Sequence, residues 1–402
     1  MTPRSVRRRR ALWLSSMMAG GAMILAGAAS ADPGAPPGPD APMAKRLGFW
    51  SPSEQEAGYR AMETIFPTHP IKAGKTVRAL PPGQPLSVNF TYDHRPYTEA
   101  DFMKINRVSG LLVLKDGKVL LERYGLGRKP TDRWTSFSIA KSVTSTLLGA
   151  AIRDGAIKSL DDRADSYVTE LKGGAYDGVT LRQLLTMTSG VHWNEDYNDP
   201  ASDFNLHATE LGPEAFKRFS ALPRDAEPGK KFHYSTGESN LIGAVVMRAT
   251  GKGLAEYLSE KVWRPYGMET DGVWMTSQDG LDLGGICFSA RLRDYGRLGQ
   301  FMLEGAQAGG NPVLPAGWID TATRSLEKTD YGTDYGFQWW IEPFGGYAGI
   351  GIMGQALYIE PSRNVVIVIQ SAWSNAGTLE QYRLQVAFMK ATLAALDART
   401  PH

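Results

Sequence analysis

The chain has 402 residues, and 44 Lys and Arg against 42 Asp and Glu leave a formal net charge of only +2 at pH 7. This balance argues against a nucleic-acid partner, which a basic stripe or patch would indicate. The single cysteine, Cys287, excludes an internal disulfide, so the fold must be stable without one.

The first 31 residues have the composition of a signal peptide. Arg7–Arg10 form a positive segment, an apolar run follows, and Ala29-Ser30-Ala31 is a small-x-small cleavage site. Arg9-Arg10 also permits twin-arginine export in place of the general secretory route. An uncleaved membrane anchor is the alternative. We therefore expect a secreted or periplasmic protein with no stable membrane insertion after cleavage.

The remaining chain is predicted to hold a linker and one folded domain. Residues 32–43 are rich in Pro and Gly and are predicted to be a linker, so that the domain occupies residues 44–402. Gly110–Leu114 and Val119–Glu122 have strand composition and flank an Asp-Gly turn, which predicts a β-hairpin. A long helix follows, with apolar residues repeating every four positions, and ends at Asp154-Gly155.

Residues from about 157 to 290 are predicted to form a mostly helical subdomain. Thr180–Leu185 and Leu241–Ala249 are its clearest helices, and Gly251 is a typical helix stop. The strand pattern returns after Gly336, and a last helix follows; these elements are Gln338–Ile341, Ala356–Glu360, Val365–Gln370 and the helix Thr378–Leu396. The fold class predicted is α/β (α+β), with one antiparallel sheet flanked by helices.

Ser138 and Lys141 lie at the start of the long helix, where side chains three residues apart are neighbours. A serine hydroxyl becomes nucleophilic when a base removes its proton, and a neutral amine is such a base. Burial and the positive end of the helix both disfavour the ammonium form. The same helix start offers a backbone N–H to a developing oxyanion.

Two later segments contain possible partners for this pair. Tyr234, on the loop before the Leu241 helix, is a candidate proton relay, and a nearby cationic Lys would favour its phenolate. Gly349–Gln355 is rich in glycine and is predicted to lead into the strand Ala356–Glu360. Such glycines let a ligand or another backbone approach closely, and an edge strand there could donate a second N–H to an oxyanion.

These segments resemble the serine β-lactamase-like superfamily in order and spacing. The resemblance rests on Ser138-Ile139-Ala140-Lys141, the phrase Leu184-Leu185-Thr186-Met187-Thr188-Ser189-Gly190, Tyr234-Ser235-Thr236 and Gly354-Gln355. The chain is most similar to the class C-related esterases and 6-aminohexanoate-dimer (nylon oligomer) hydrolases. The resemblance runs from about Arg107 to Ala395 and implies the β-lactamase/transpeptidase-like fold.

The resemblance implies a role for each residue at a matching position. Ser138 would be acylated, and Lys141 would activate it and share a proton with Tyr234. The oxyanion would bind the backbone N–H groups of Ser138 and of Gln355, which follows Gly354 of the third motif. Tyr197 matches a tyrosine that contacts the substrate amide in the nylon hydrolase branch. No cofactor or metal is implied.

Two positions depart from the family pattern. Thr236 stands where the family's Tyr-x-Asn motif has asparagine, although a threonine can still offer one hydrogen bond. Ile352 stands where β-lactamases have the lysine of Lys-Thr-Gly, and an isoleucine cannot hold a β-lactam carboxylate. This departure argues for substrates that are uncharged at this position.

Other hydrolase types are not indicated, because no serine lies in Gly-x-Ser-x-Gly and His-Glu-x-x-His is absent. We therefore predict a serine hydrolase that forms an acyl-enzyme with small esters or amides, such as linear 6-aminohexanoate amides. The alternatives are a β-lactamase, a peptidase of D-amino-acid peptides, or an acylatable binding or sensor protein that does not turn over. A small-molecule substrate is the expected partner, and the oligomeric state is left open.

Overall fold

The computed structural model describes Leu47 and residues 49–399. Its helices are α1 (Pro52–Gly58), α2 (Glu99–Ile105), α3 (Ile139–Arg153), α4 (Leu181–Leu185), α5 (Asp203–His207), α6 (Pro213–Ser220), α7 (Thr236–Thr250), α8 (Leu254–Leu258), α9 (Arg264–Tyr266), α10 (Leu292–Leu303), α11 (Trp318–Ala322) and α12 (Leu379–Asp397). Its strands are β1 (Thr68–Ile71), β2 (Asn89–Tyr92), β3 (Arg95–Thr98), β4 (Val108–Lys115), β5 (Lys118–Tyr124), β6 (Arg133–Thr135), β7 (Gly272–Met275), β8 (Phe288–Arg291), β9 (Gln307–Ala308), β10 (Asn311–Pro312), β11 (Glu327–Lys328), β12 (Asp334–Tyr335), β13 (Trp340–Ile341), β14 (Tyr347–Gly351), β15 (Gln355–Glu360) and β16 (Val365–Ser371).

One antiparallel sheet joins the two ends of the domain. Its strand order is β11-β12-β13-β14-β15-β16-β4-β5, so the predicted hairpin β4–β5 pairs with the last strand of the chain. The hairpin turns at Asp116 and Gly117, both with positive φ (51° and 71°), as a tight type I′ turn requires. The predicted fold class is confirmed by this sheet and its flanking helices.

Helix α3 is buried on every side along most of its length. All residues from Ile139 to Ala151 are buried, although the apolar repeat predicted only one buried face. Hydroxyl groups of this stretch donate to backbone carbonyls of other segments packed against the helix. Ser145 Oγ donates to Phe337 O (2.7 Å) and Thr144 Oγ1 to Gly284 O (2.8 Å). The helix therefore runs through the middle of the domain, and its first turn is held on several sides.

The structure differs from the predicted elements mainly around glycines. Helix α7 begins at Thr236 rather than Leu241, because Ser235 caps it by accepting from Glu238 N (3.2 Å). The segment before Ala356 is itself a strand, β14, that pairs with β15 through Gly351 and Gln355. Its glycines interrupt the alternation of apolar and polar residues by which strands are recognised. Within the described residues, no helix is both long and apolar enough to cross a membrane.

Candidate active site

Ser138 is the N-cap residue of α3, yet its side chain does not cap the helix. The preceding residue, Phe137, has φ of 44°, an unfavourable value for an aromatic residue. Ser136 holds this bend against β8, since its N–H donates to Phe288 O (2.8 Å) and its Oγ accepts from Phe288 N (2.9 Å). The Ser138 hydroxyl is thus left free of the helix terminus and directed into the site.

Lys141 Nζ is surrounded by three oxygen atoms. It lies 2.9 Å from Ser138 Oγ, 2.9 Å from Thr236 Oγ1 and 2.7 Å from Gly285 O. Only 1% of the residue is exposed, and this burial lowers the pKa of the amine to about 8, although Glu195 opposes the shift. About a tenth of the amine is therefore neutral at pH 7, far more than for an exposed lysine, as a base requires.

Tyr234 is brought to the same place, but its ionisation differs from the prediction. Its hydroxyl group interacts with the side chain of Ser138, and Lys141 Nζ lies over its ring, 5.1 Å from the centroid. Burial, with a contribution from Glu195, raises the pKa of Tyr234 above its ordinary value. The expected phenolate is corrected to a neutral phenol, because desolvation and a nearby carboxylate both oppose a second negative charge.

Glu195 was not among the site residues predicted from the sequence. Its carboxylate accepts from Thr236 N (2.9 Å), Thr236 Oγ1 (2.5 Å), Tyr197 OH (3.0 Å) and the indole N–H of Trp193. Four donors on one carboxylate form a fixed, charge-assisted cluster. Trp193 lies two residues before Glu195, and Tyr197 two residues after it; that local spacing was readable, whereas the approach of Thr236 was not.

Thr236 and Tyr197 both lie in this cluster. Thr236 is fully buried, and its hydroxyl group bridges Lys141 and Glu195. Tyr197 is partly buried and packs edge-on against Phe204 (ring centroids 4.8 Å apart). The structure thus gathers five predicted residues in one site, namely Ser138, Lys141, Tyr197, Tyr234 and Thr236.

Two glycines of β14 lie against the nucleophile segment, whereas Gly354 of the predicted third motif lies against Trp373 and Ser371. A Cβ atom on Gly351 would be 2.8 Å from Ser136 O, and one on Gly349 would be 3.0 Å from Ser142 Oγ, so these two glycines lie directly against the nucleophile segment. Gln355 is on β15, fully buried, and its carboxamide donates to Ser371 O (2.8 Å) and accepts from Met353 N (3.2 Å).

The backbone N–H of Gln355 as the second oxyanion donor stays a prediction, because these hydrogen bonds involve its carboxamide and not its backbone. Strand β14, whose glycines lie against the nucleophile segment, is a second candidate to supply that N–H. Gly354 has φ of 87° and ends the turn between β14 and β15. Ile352, half-buried in the same turn, accepts at its carbonyl from Gly377 N (2.9 Å).

The Leu184–Gly190 segment supports the Tyr234 loop. Met187, at φ of 56°, accepts at its carbonyl from His233 N (2.8 Å), and Thr188 O accepts from Gly229 N (2.7 Å). Met187 also packs in a small buried cluster with Tyr234 and Tyr335. The Leu184–Gly190 segment thus fixes the tyrosine that shares the site with Ser138.

The mouth of the site is aromatic. Trp340 stacks on Tyr234 (ring centroids 5.4 Å apart) and meets Tyr331 edge-on (5.6 Å). Tyr331 is 59% exposed, so its ring lies at the protein surface next to the buried site. In the part of the chain that the structure describes, no group of three or more His, Cys, Asp or Glu side chains could hold a metal ion.

Comparison with known proteins points to one family. The Beta-lactamase family model matches residues 98–388. The chain is 32% identical over 308 residues to the 6-aminohexanoate-dimer hydrolase of Paenarthrobacter ureafaciens, an alignment covering 71% of this chain and 78% of that protein. A Bacillus anthracis structure, provisionally named 6-aminohexanoate-dimer hydrolase, superposes with a TM-score of 0.78 at 23% identity, over 89% of this chain and 98% of that one. A D-stereospecific amidohydrolase from Streptomyces sp. has a TM-score of 0.56 at 18% identity, over 73% and 98% of the two chains, and shares the fold alone.

Proposed function

Because this chain belongs to the beta-lactamase family and is a serine hydrolase of amide or ester bonds, we propose that it hydrolyses small esters and linear amides of the 6-aminohexanoate-oligomer type. The observation that carries this choice of substrate is the strand next to the nucleophile. Residues 345–354, which include β14, contain no Lys, Arg or His. A β-lactam carboxylate, which lies close to the scissile amide, would find no cation there. The charged ends of a linear 6-aminohexanoate amide are separated from its scissile amide by methylene chains, so they need no cation at this position.

The aromatic mouth supports the same substrates. Trp340 and Tyr331 offer flat apolar surface at the entrance, which suits a methylene chain better than a strongly hydrated group. The relative from Paenarthrobacter ureafaciens carries 6-aminohexanoate-dimer in its name, in agreement with a linear amide.

The proposed mechanism uses the protonation states described above. The neutral amine of Lys141 takes the proton of Ser138, whose Oγ attacks the substrate carbonyl and forms a tetrahedral oxyanion. The Ser138 N–H and an N–H of Gln355 or of β14 stabilise that oxyanion. Tyr234, a neutral phenol beside Ser138, passes the proton from Lys141 to the leaving group. Water then attacks the Ser138 ester, and its proton returns through the same groups.

Export remains part of the proposal. The predicted signal peptide, residues 1–31, and the linker, residues 32–43, lie outside the described residues. Their support is the sequence: Arg7–Arg10, the apolar run and the Ala29–Ala31 site are the three parts of a secretory signal. The fold contains no disulfide to form after export, since Cys287 is the only cysteine.

The test of the proposed function is a substrate panel on the protein purified without residues 1–31. We expect steady turnover of p-nitrophenyl acetate and of linear 6-aminohexanoate dimer, with a transient acyl adduct on the peptide that contains Ser138, detected by mass spectrometry. Hydrolysis of a β-lactam or a D-alanyl peptide at a higher kcat/KM would overturn the substrate assignment. Absence of both turnover and adduct with every compound would overturn the proposed function.

The pH dependence of kcat/KM gives a separate prediction. Lys141 must be neutral to act as base, and its pKa is about 8, so activity should be low in acid and rise through about pH 8. Activity rises with pH because an enzyme molecule whose Lys141 is protonated has no base and is inactive. An ester whose spontaneous hydrolysis is subtracted can be followed from pH 5 to 10. Activity that falls as the pH rises through this range would contradict the assignment of Lys141.

A further inference from the structure

The three oxygens around Lys141 differ in whether they can donate a hydrogen bond. A neutral amine has two N–H groups and one lone pair, and only the lone pair can remove a proton. Gly285 O can only accept, and Asn240 Oδ1 keeps it in place by accepting from Gly285 N (2.8 Å). The Thr236 hydroxyl could in principle donate to Lys141, which would occupy the lone pair.

Glu195 removes that possibility. A carboxylate only accepts, so the proton of Thr236 Oγ1 must point to Glu195 Oε1, 2.5 Å away. The oxygen of Thr236 then faces Lys141 Nζ, 2.9 Å away, as an acceptor. Two acceptors thus take the two N–H groups of the neutral amine, and the lone pair is left facing Ser138 Oγ.

We propose that Glu195 is a positioning residue which, through Thr236, directs the lone pair of neutral Lys141 toward the hydroxyl of Ser138. This inference rests on the proposed function, in which Lys141 is the base. It also accounts for Thr236 in place of asparagine. An asparagine oxygen accepts without needing a second group to hold its proton, whereas a threonine hydroxyl needs a partner such as Glu195.

The carboxylate is itself well fixed, which a positioning role requires. The indole N–H of Trp193 and the backbone N–H of Thr236 both donate to Oε2, while Tyr197 OH and Thr236 Oγ1 donate to Oε1. The backbone of Trp193 is tied to the Tyr234 loop, because Trp193 O lies 2.5 Å from His233 Nε2. Rotation of the Glu195 carboxylate would therefore break several hydrogen bonds at once.

Glu195→Gln is the variant that tests this arrangement. If the amide oxygen keeps the two N–H donors, the amide nitrogen faces the two hydroxyl groups and donates to Thr236 Oγ1. The Thr236 proton can then turn to Lys141 and occupy its lone pair. We expect the plateau value of kcat/KM for p-nitrophenyl acetate to fall about 10- to 100-fold, within the range of general-base effects.

The pH profile separates positioning from a loss of folding. Removing the Glu195 charge takes away an interaction that favours the ammonium form of Lys141, so the acid limb of kcat/KM should move to lower pH. A variant that was merely misfolded would lose activity without this movement. Glu122→Gln is the matched control, since Glu122 also accepts from a tyrosine hydroxyl (Tyr124, 2.6 Å). Glu122 lies on β5, which β15, β16 and β4 separate from β14. The profile of this control should match the wild type.

Substitutions of Thr236 complete the test. Thr236→Ser keeps the hydroxyl group and should retain activity within about threefold, whereas Thr236→Val keeps the shape, loses the hydroxyl and should match the loss in Glu195→Gln. Because the two residues act through one hydrogen bond, adding Glu195→Gln to Thr236→Val should cause little further loss. Circular dichroism and the thermal midpoint would identify any variant that fails to fold. If Glu195→Gln fails to fold, the comparison of Thr236→Ser with Thr236→Val still tests the proposal.

The possible results are distinguishable. An unmoved acid limb in Glu195→Gln, or losses that multiply in the double variant, would overturn the positioning role while wild-type turnover leaves the proposed function intact. A wild-type protein that turns over no ester or amide would overturn both. A lower acid limb together with a non-additive loss would establish Glu195 as the residue that orients the base.

Discussion

Replacement of Ser138 by alanine is expected to lower kcat/KM for esters and amides by about ten thousand-fold or more, the scale seen when a covalent nucleophile is removed. The Ser138 hydroxyl is the one that lies 2.9 Å from Lys141 Nζ and interacts with Tyr234. Alanine removes only that oxygen, and the side chain does not cap α3, so the fold should be preserved. Turnover and intact-protein mass would be measured together, and the acyl adduct should vanish with the activity.

Ser145→Ala is the matched control for this prediction. Ser145 is a buried serine of the same helix, and its hydroxyl donates to Phe337 O (2.7 Å) away from Lys141. Losing that hydrogen bond should lower stability by about 1 kcal/mol and leave kcat/KM close to the wild-type value. Comparable activity in Ser138→Ala and the wild type would exclude Ser138 as the nucleophile.

Lys141→Met should lower kcat/KM by about a thousand- to ten thousand-fold, toward the upper range of general-base contributions. Methionine is of similar length and tolerates burial, so the side chain can fill the same space without the amine. The acid limb near pH 8 should also disappear, because the group whose pKa is about 8 is gone. Stopped-flow measurement of acylation would show whether the loss is in the first chemical step.

Lys141→Arg distinguishes a base from a positive charge. The guanidinium remains protonated throughout the accessible pH range, so it can supply charge but cannot take the proton of Ser138. We expect this variant to be as inactive as Lys141→Met at every pH. Recovery of more than about a tenth of wild-type activity in Lys141→Arg would show that charge is sufficient and that another group is the base.

Features set by local sequence could be predicted well. The Asp116-Gly117 turn identified its hairpin, and Ser138 with Lys141 identified the start of α3, because turns and (i, i+3) pairs depend on neighbours along the chain. The family resemblance and the fold class that it implied are likewise confirmed.

Features that depend on contacts between distant segments could not be predicted. Glu195 contacts Thr236 because the loop that contains Trp193 and Glu195 lies against the start of α7. The spacing of these residues along the chain does not predict that contact. Strand β14 was missed because Gly349 and Gly351, which let the strand approach Ser136 and Ser142, also erase its alternation. The pKa of Tyr234 is raised by its burial and by the Glu195 carboxylate, neither of which could be known from the sequence, so the neighbouring lysine alone suggested the wrong direction.

The sheet order described above also determines when the site can form during synthesis. Strand β4, near the beginning of the domain, pairs on one side with β16, near its end. A nascent chain that stops before β14 contains Ser138 and Lys141 but lacks the strands that cover α3. The buried faces of α3 would then be open to water and to other chains. Ser138 and Lys141 are therefore made early, but α3 can be fully buried only after the last strands have joined the sheet.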